Sequence, residues 1–432
     1  MRRMRENARS QPTVINESGV EARAREGGGA GTGVRVAMLF EANPYPQDSR
    51  VRVEAESLAA AGYAVEVIVP RAAGQPRRER VGTVQVTRFR CFDGSGRGVP
   101  GFLAEYMLAA IAMHWHALRA LVGGAVVLHL HNPPDIFFPA AALFRLAGRA
   151  VIFDHHDLMP EMLEAKFGEL RFDRIARVCE RLSFMTASHV IATNDSYRDV
   201  AVRRGGKHPS TVTVVRYGAS SAWLEHPCRV RDGELRDVRL IYVGAISAHD
   251  GVEGIAPILA ELCARHPDLE PRLTIVGSGD SRPRVESALH AHGVAERVEF
   301  TGWVPFVRVY ELLLDADVCV DPAPATKLNE LSTMVKLPEY LALGKPIVAY
   351  NLLESSRTIA DAGVLIPPGD VRAFADAIAD LAREPELRLR LARESRRRAS
   401  EISWDRSEKA LLQAYAAALR RPGLTAASAH RG

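Results

Sequence analysis

Short runs of apolar residues recur along most of the chain, and each is followed by a polar loop and a longer mixed stretch. The runs occupy residues 34–40, 64–69, 126–130, 150–153, 189–192, 212–215, 239–243, 273–276, 298–301, 318–320 and 347–349. Runs of this kind are typical of strands that are buried on both faces of a parallel sheet. The stretches between them have the length and apolar spacing of helices. The pattern therefore predicts an α/β fold in which strands and helices alternate.

A polar, charged and glycine-containing segment divides the runs into two sets, which predicts two domains joined by a linker. We expect a flexible leader over 1–33, a first domain over 34–224 and the linker over 225–237. A second domain then follows over 238–403. A last helix over 404–420 and a tail over 421–432 complete the chain. The leader carries arginines but no apolar core, so it does not have the pattern of a secretory signal.

Composition and charge exclude several classes of function. The chain has 432 residues, of which 47% are hydrophobic and 25% are charged, as is usual for soluble globular domains. The net charge of +4 is too small to indicate nucleic acid as the partner. The five cysteines are far apart in sequence, so neither a disulfide framework nor a zinc site is predicted. These features favour a reducing, cytoplasmic location.

Two stretches bear on contact with a membrane. No stretch has the 18 or so uncharged apolar residues that a membrane-spanning helix needs. The nearest, residues 106–118, contains two histidines, and we interpret it as a largely buried helix rather than a membrane-surface helix. The predicted helix over 387–402 carries six arginines. They form either a solvated face or a basic patch that meets anionic lipid at the inner face of the membrane.

The segment 332–350 has the pattern of a loop, a short helix, a stop and a buried strand. Ser332 and Thr333 are good residues for the start of a helix over 335–343, and Gly344 fits its end. The amino end of a helix favours anions, and Glu339 lies one turn inside. A carboxylate there can accept two hydrogen bonds from the vicinal diol of a ribose. Together these features predict a nucleotide site.

Polar residues of the first half follow directly after predicted strands. His131 and Asp157 come just past strand ends, and the loop 41–49 with Asn43 precedes a helix that begins near Arg50. Ligands of open parallel sheets bind at the carboxyl ends of the strands, so these residues are candidates for a binding site. Arg50 is either a ligand for an anionic acceptor or phosphate, or a surface arginine.

The histidines of these segments also suggest a metal. Alternate residues of a strand share a face, so His129 and His131 point to one side, whereas His155 and His156 point apart. A complete metal site is therefore disfavoured, and structural roles for His129 and His155 are expected.

Several of these segments resemble one enzyme family. The segment Pro338–Val348 reads P-E-Y-L-A-L-G-K-P-I-V and resembles the E-Y-x-A-x-G-K-P-[IV]-V signature of the family-4 retaining glycosyltransferases. Residues 129–133 resemble the family's H-x-H-x-P segment, and residues 154–161 resemble its D-x-H-D-x-x-P-E segment. The loop that begins at Gly277 resembles a V-G-x-G segment whose backbone borders the nucleotide.

The resemblance implies the GT-B fold, with two facing Rossmann-like domains and a last helix that crosses back onto the first. It implies that the second domain holds the nucleotide-sugar donor and that Glu339 holds the ribose. The first domain would hold the acceptor, with Arg50 and Asn43 on the acceptor side. His131 would lie near the anomeric centre, and Asp157 would support the acceptor.

The chain departs from the family pattern in two places. The first of the family's two glutamates would fall at Leu331, and Glu330 lies one residue early. Glu330 either binds the sugar directly or supports the site from beside it, and we favour the supporting role. The loop that begins at Gly244 has Ala245 and Asp250 where much of the family has an arginine and a lysine that clamp the diphosphate.

Without the arginine and lysine of the clamp, other groups must bind the diphosphate. Lys336 is either the cation for the phosphates, which we favour, or a solvated lysine of the helix. The backbone N–H groups of Ser332, Thr333 and Met334 are predicted to hold sugar and phosphate. Asp315 and Asp317 have the spacing of a metal-binding D-x-D motif. Because Asp317 runs straight into an apolar strand, we reject that interpretation and expect neither metal nor cofactor.

The sequence thus predicts a metal-independent retaining glycosyltransferase that acts on a glycan, a lipid-linked acceptor or a small molecule. Two alternatives remain open at this point. One is a nucleotide-sugar 2-epimerase, which would share the fold but isomerise its substrate. The other is a protein that binds a nucleotide sugar without catalysis.

Overall fold

The computed structural model describes residues 33–91, 98–167, 172–219, 221–225 and 228–420. The predicted leader up to residue 32 and the predicted tail lie outside these residues. Within them, contacts divide the chain into two units. The first unit contains residues 33–216 and 407–420, and the second contains 217–406. Each unit is described by itself.

The first unit is built on an eight-stranded sheet. Its strands are β1 (Arg35–Leu39), β2 (Ala64–Pro70), β3 (Arg78–Val81), β4 (Val84–Phe89), β5 (Val127–His131), β6 (Ala150–His155), β7 (His189–Ala192) and β8 (Val212–Val214). They lie in the order β3-β4-β2-β1-β5-β6-β7-β8. All neighbours are parallel except β3, which pairs antiparallel with β4. The apolar runs become strands here because their side chains are buried on both faces of the sheet.

The helices of the first unit connect these strands. They are α1 (Ser49–Ala60), α2 (Gly98–Val122), α3 (Phe138–Leu146), α4 (Met159–Phe167), α5 (Phe172–Thr186) and α6 (Asp195–Arg203). Two of them begin where a side chain caps the first turn. The Val51 N–H donates to Asp48, and the Tyr197 N–H donates to Asn194.

The second unit is built on a six-stranded sheet that is wholly parallel. Its strands are β9 (Asp237–Val243), β10 (Glu270–Val276), β11 (Val298–Gly302), β12 (Val318–Asp321), β13 (Ile347–Tyr350) and β14 (Gly363–Ile366). They lie in the order β11-β10-β9-β12-β13-β14. The buried cluster that includes Leu240, Ile275 and Phe374 packs one face of this sheet against its helices.

Most helices of the second unit have ten residues or fewer, and three are longer. They are α7 (Ser221–Glu225), α8 (Ile255–Arg265), α9 (Arg282–Ala291), α10 (Phe306–Asp315), α11 (Lys327–Leu331), α12 (Lys336–Ala342), α13 (Leu353–Ile359), α14 (Val371–Arg383) and α15 (Pro385–Glu401). The last helix, α16 (Trp404–Leu419), starts in the second unit and belongs to the first from Ser407 onward.

The predicted α/β fold is confirmed, with strands within a few residues of the expected bounds. The edge hairpin of β3 and β4 and the edge strand β14 were not predicted. The division between the units falls at residues 216 and 217, whereas the sequence placed the end of the first domain at 224. The segment 228–236 is not a detached linker either, because Leu235 is buried in the core of the second unit.

Helix α2 corrects one prediction. Residues 106–118 were expected to form a largely buried helix, but Ile111 is 63% exposed and Trp115 is 60% exposed. The expectation was wrong because hydrophobicity alone does not reveal whether a partner covers a helix. Nowhere in the described part of the chain does a helix combine the length and apolar character needed to cross a membrane.

Candidate active site

The candidate site of the second unit lies at the carboxyl edge of its sheet. From β9 the chain moves to β10 on one side and later returns to β12 on the other side. The strand order therefore reverses between the neighbouring strands β9 and β12. Parallel α/β sheets bind ligands at such a point. Three loops meet there: 244–251 after β9, 277–281 after β10 and 322–326 after β12.

Glycines let two of these loops touch backbone to backbone. A Cβ on Gly277 would lie 2.0 Å from the Gly244 carbonyl oxygen, and a Cβ on Gly279 would lie 2.0 Å from that of Ile246. Gly277 also has a φ of +133°, which disfavours other residues. The Ile246 N–H donates to the Ser278 carbonyl at 3.1 Å. The loops after β9 and β10 thus form one continuous floor.

Lys336 fixes the loop after β9 to the end of β12. Its Nζ lies 3.4 Å from Asp250 Oδ1 and 3.3 Å from Asp321 Oδ1, and all three side chains are buried. It also donates to the Tyr242 hydroxyl at 3.2 Å. The predicted phosphate cation is therefore already bound to two carboxylates.

The charges of this group explain the protonation of the lysine. Burial alone would lower the pKa of Lys336, but Asp321 and Asp250 outweigh burial and raise that pKa, so the ammonium stays charged. Burial raises the pKa of Asp321, and Lys336 opposes the rise. The aspartate that replaces the family's lysine at position 250 thus has its own counter-ion in Lys336.

Glu339 lies on α12 beside this group and is half-buried. The Tyr217 hydroxyl donates to its Oε1 at 3.3 Å. Burial raises the pKa of the Glu339 carboxyl to about 7, and Tyr217 and Lys336 oppose that rise. A carboxyl that titrates near neutral pH at the ligand-binding edge of a sheet is a typical feature of a functional site.

The loop before α12 differs from the prediction. Helix α12 begins at Lys336, and its N-cap residue is Val335, which has no capping side chain. Ser332 instead ends α11, where its hydroxyl donates to the Leu328 carbonyl at 2.8 Å. The N-cap of α12 is therefore neither Ser332 nor Thr333. Met334 is buried in the apolar core, so only its backbone can face a ligand.

Glu330 has a structural partner. Its Oε2 accepts the Leu353 N–H at 2.7 Å, so Glu330 caps the first turn of α13. Its supporting role in the donor site remains a prediction.

The first unit holds a second charged cluster at the carboxyl edge of its own sheet. Arg50 donates to both oxygens of Asp154 at 2.8 Å each, and its Nη2 lies 3.1 Å from Glu54. Its Nη1 donates to the Val215 carbonyl at 3.0 Å. Arg50 is 7% exposed and both carboxylates are fully buried. Arg50 is therefore neither a ligand for an anionic acceptor or phosphate nor a surface arginine, because its guanidinium is bonded to buried carboxylates.

Two histidines of β5 complete this cluster. The rings of His129 and His131 stack at 4.2 Å between centroids, as the alternation of a strand predicts. His129 Nδ1 lies 2.8 Å from the Tyr415 hydroxyl, and His131 Nδ1 lies 3.0 Å from Asp154 Oδ2. Burial lowers the pKa of both imidazoles, so both are neutral at pH 7.

The cluster contains atoms of the kind that bind zinc. Glu54, His129, His131 and Asp154 each offer an atom, and these atoms lie within 4.8 Å of one another. However, the guanidinium of Arg50 already contacts both carboxylates. A divalent ion would have to compete with that fixed positive charge, so these residues fit a resident metal poorly.

The exposed rim above the cluster is formed by the loop after β6. His156 Nδ1 lies 3.5 Å from Asp154 Oδ2, and its side chain is 12% exposed. Burial would lower the pKa of His156, but the Asp154 carboxylate raises it. Asn132 Oδ1 accepts the N–H groups of His156 and Asp157 at 2.8 Å and 3.0 Å. Asp157 is half-buried at this rim, whereas His131 is fully buried beneath it.

Comparison with known proteins identifies the family. The sequence model described as "Glycosyl transferases group 1" matches residues 237–384, and the one described as "Glycosyl transferase 4-like domain" matches residues 47–218. The two matches follow the two units and together cover most of the chain. The protein is a group 1 glycosyltransferase of family 4.

Relatives of this glycosyltransferase act on different substrates. The alpha-D-kanosaminyltransferase of Streptomyces kanamyceticus is 27% identical over 68% of this chain and 77% of its own length. A D-inositol 3-phosphate glycosyltransferase of Saccharomonospora viridis is 30% identical over 54% of this chain and 56% of its own length. Alignment with the latter thus spans about half of that enzyme.

Solved structures show the same fold at low sequence identity. A sucrose-phosphate synthase from Thermosynechococcus elongatus gives a TM-score of 0.64 at 19% identity, over 89% of this chain and 98% of the other. WaaG, a glycosyltransferase involved in lipopolysaccharide biosynthesis, gives 0.64 at 18% identity, over 88% and 98%. This glycosyltransferase therefore has the GT-B type of fold, as the sequence predicted.

Lys345 belongs to the family signature and has a structural role in this glycosyltransferase. Its side chain is fully buried, and Nζ donates to the carbonyls of Leu314, Ala316 and Arg229 at 2.7, 2.8 and 3.2 Å. Gly344, at a φ of +66°, ends α12 as predicted.

The arginines of α15 do not form the basic patch that was considered. Arg388 is fully buried and donates to backbone carbonyls, among them Ala382 at 2.9 Å. Arg396 donates to the Ala342 carbonyl at 2.7 Å. Arg397 and Arg398 pair with Glu401. Most of the positive charge of this helix is thus directed at the protein itself.

Sequence reasoning gave no role to several residues of the two clusters. Asp154 stood inside a quoted motif, Glu54 lies on the predicted helix that begins near Arg50, and Asp321 follows the apolar run of β12. A buried charged residue needs a partner. Arg50 lies four positions from Glu54 but 104 from Asp154, and Lys336 lies 15 positions from Asp321.

Proposed function

We propose that this glycosyltransferase transfers a sugar from a nucleotide-sugar donor to a glycan, lipid-linked or small-molecule acceptor, with retention and without a metal. The observation that carries the proposal is the half-buried carboxyl of Glu339 at the switch point of the second sheet, with a pKa of about 7. A trehalose-6-phosphate enzyme of the same fold was solved with UDP-2-fluoro glucose, with a TM-score of 0.68 at 11% identity. That structure supports the donor class by analogy of fold.

The donor would lie on the floor formed by the Gly244 and Gly277 loops. The ionised Glu339 carboxylate would accept two hydrogen bonds from the ribose diol. The backbone of these two loops and the residues before α12 would border the diphosphate. Lys336 would act on the phosphates from below, at a distance set by its bonds to Asp250 and Asp321.

The reaction would follow a front-face course. The bond between the anomeric carbon and the diphosphate oxygen breaks, the acceptor hydroxyl oxygen bonds to the same face, and its proton passes to the leaving diphosphate. The enzyme's task is then to stabilise the charge of the diphosphate and to orient the acceptor. The first unit would supply the acceptor side, with His156 and Asp157 at its rim. Buried His131 would support that rim from beneath.

Metal independence is supported by the bonds of the D-x-D pair. Asp317 accepts the Arg239 N–H at 2.9 Å and pairs with Arg231 at 2.9 Å, and Asp315 pairs with the Arg239 side chain at 2.7 Å. Both carboxylates are thus bound by arginines of the second unit itself. The family membership does not favour the epimerase or the non-catalytic alternative.

The experiment is a screen of nucleotide sugars for release of the nucleoside diphosphate, with and without a panel of acceptors, in buffer with EDTA. We expect release that depends on the acceptor and survives EDTA. Loss of turnover in EDTA, restored by magnesium or manganese, would contradict the metal-independent course. Isomerised sugar without release would indicate an epimerase, and binding without turnover of any pair would support a non-catalytic protein.

A further inference from the structure

A broad apolar surface lies on one side of the first unit. It is carried by three helices, α2, α3 and α5. Each of them links strands in a crossover that moves in the same direction along the sheet, so the right-handed rule places all three on one face. Contacts agree, since α3 packs against both α2 and α5. The outer side of this helical layer is the surface at issue.

Helix α2 contributes the longest part of the surface. Met107, Ile111, Trp115 and Val122 are 65%, 63%, 60% and 82% exposed. Their successive spacings of four, four and seven residues place them on one side of the helix. From the first to the last they extend for about 22 Å at 1.5 Å per residue. The stripe therefore runs along the helix instead of forming an isolated spot.

The neighbouring helices extend the apolar stripe. Leu143 and Leu146 of α3 are 49% and 85% exposed. A groove of about 450 Å³ lies between α2 and α3, and almost all of its lining is apolar, including Trp115, Leu118 and Phe144. Ile175, Val178 and Met185 of α5 are 60%, 57% and 65% exposed. Exposed apolar areas of this breadth mark a surface that another body covers.

The charges around the stripe indicate what that body is. Exposed arginines stand on all three helices, at Arg119, Arg145, Arg174, Arg177 and Arg181. Among the exposed or half-buried side chains described on these helices, the one acid is Asp173, which pairs with Arg177 at 2.9 Å. The surface thus combines exposed apolar side chains with exposed charges that are mostly positive. A second copy of the same surface would bring arginines against arginines, which opposes self-association.

We propose that the surface formed by α2, α3 and α5, here named the α2–α5 surface, docks on an anionic lipid bilayer. The helices would lie flat in the headgroup region, as amphipathic helices with apolar and basic residues do. The indole of Trp115 suits that region because it is apolar with one polar N–H. Each arginine near an anionic surface would increase partitioning by about fivefold, equivalent to about 1 kcal/mol.

The test measures binding of the full chain to sedimented vesicles. Vesicles of phosphatidylcholine with phosphatidylglycerol are compared with vesicles of phosphatidylcholine alone, at low and high salt. We expect binding to the anionic vesicles that weakens with salt, and a blue shift in the fluorescence of Trp115. The shift is isolated by comparison with Trp115→Phe.

Two variants and two matched controls decide the assignment. The variant Ile111→Gln/Trp115→Gln/Val122→Gln removes apolar area, and Arg174→Glu/Arg181→Glu reverses charge. Each should reduce binding to anionic vesicles by at least about tenfold, since several side chains contribute at once. The controls are Val307→Gln, which is as exposed on α10, and Arg390→Glu on α15. Both should bind vesicles as the wild type does.

Three results would overturn the proposal. They are failure of the wild type to bind either kind of vesicle, unchanged binding by both variants, and an oligomer in solution that the apolar variant dissociates. The last would mean that a second copy covers the surface. Circular dichroism and binding of nucleoside diphosphates check that each variant is folded. These checks also separate a failure here from a failure of the donor-site proposal.

Discussion

Each unit of the protein holds one buried cation against two carboxylates at the carboxyl edge of its sheet, but the two clusters are built differently. In the first unit the cation is Arg50, and it bonds both oxygens of Asp154 at 2.8 Å. Burial alone would raise the pKa of Asp154, but Arg50 and the neighbouring histidines hold it well below its usual range. This pair is ionised, bidentate and fixed.

In the second unit the cation is Lys336, with Asp250 and Asp321 at 3.4 Å and 3.3 Å. An ammonium is a compact charge that does not form a bidentate pair, whereas a guanidinium fits a carboxylate with two parallel bonds. The contacts of Lys336 are also longer than those of Arg50 with Asp154. The first cluster is thus held by paired bonds of fixed geometry, and the second by single contacts of a flexible side chain.

The largest effect is expected from breaking the first cluster. Arg50→Met would leave the buried, ionised carboxylate of Asp154 without its counter-ion, which costs about 3–5 kcal/mol of folding free energy. Urea unfolding of the full chain measures it, with Arg50→Lys as the control that keeps the charge but loses the paired bonds. A loss below about 1 kcal/mol, the value typical of a surface ion pair, would contradict the structural role.

A smaller loss of stability is expected from Lys336→Met, about 1–3 kcal/mol, because Asp321 can be protonated and the contacts are longer. The double variant Lys336→Met/Asp321→Asn should regain part of that loss, since it removes one unpaired charge. Affinity for a nucleoside diphosphate should stay reduced in both variants. Full recovery of affinity in the double variant would mean that Lys336 only balances Asp321.

The smallest effect is expected from Glu330→Ala. The variant removes the cap of α13, which costs about 1 kcal/mol of stability. Turnover and binding of the nucleoside diphosphate should both fall mildly. A loss of turnover beyond about a hundredfold, roughly 2.7 kcal/mol, with binding unchanged would show instead that Glu330 contacts the donor sugar.

Much of the fold was predictable because the signals are local. Apolar runs became strands, and Gly344 ended its helix where it was expected. The hairpin of β3 and β4 escaped because β3 is an exposed edge strand with charged residues, Arg78–Val81. The exposure of the apolar stripe of α2 was not predicted for a different reason. Its apolar residues look the same in sequence whether a core or another body covers them.

The site was predictable only in part because its partners are distant in sequence. Glu339 lies at the expected edge of the second sheet, and its role in holding ribose remains a prediction. Arg50 looked like a ligand residue because Asp154, its partner, lies 104 positions away. Lys336 looked like a free cation because Asp250 is 86 positions away. Which buried charges pair depends on the tertiary structure and cannot be deduced from a single motif.

The most direct measurement of the central claim is the affinity of a nucleoside diphosphate, taken from a panel that includes UDP and GDP, at pH 6 and pH 8. With a pKa of about 7 for Glu339, the ionised fraction rises about tenfold between these values. A ribose diol donates to the ionised form, so affinity should rise with pH.

Glu339→Gln separates this rise from titration of the phosphate itself. The variant should bind about tenfold to more than a hundredfold more weakly at pH 8, a loss of about 1.5–3 kcal/mol. Its affinity should lack the part of the pH dependence that belongs to the carboxyl. Equal affinity of variant and wild type at both pH values would contradict the account, because Glu339 would then not hold the nucleotide.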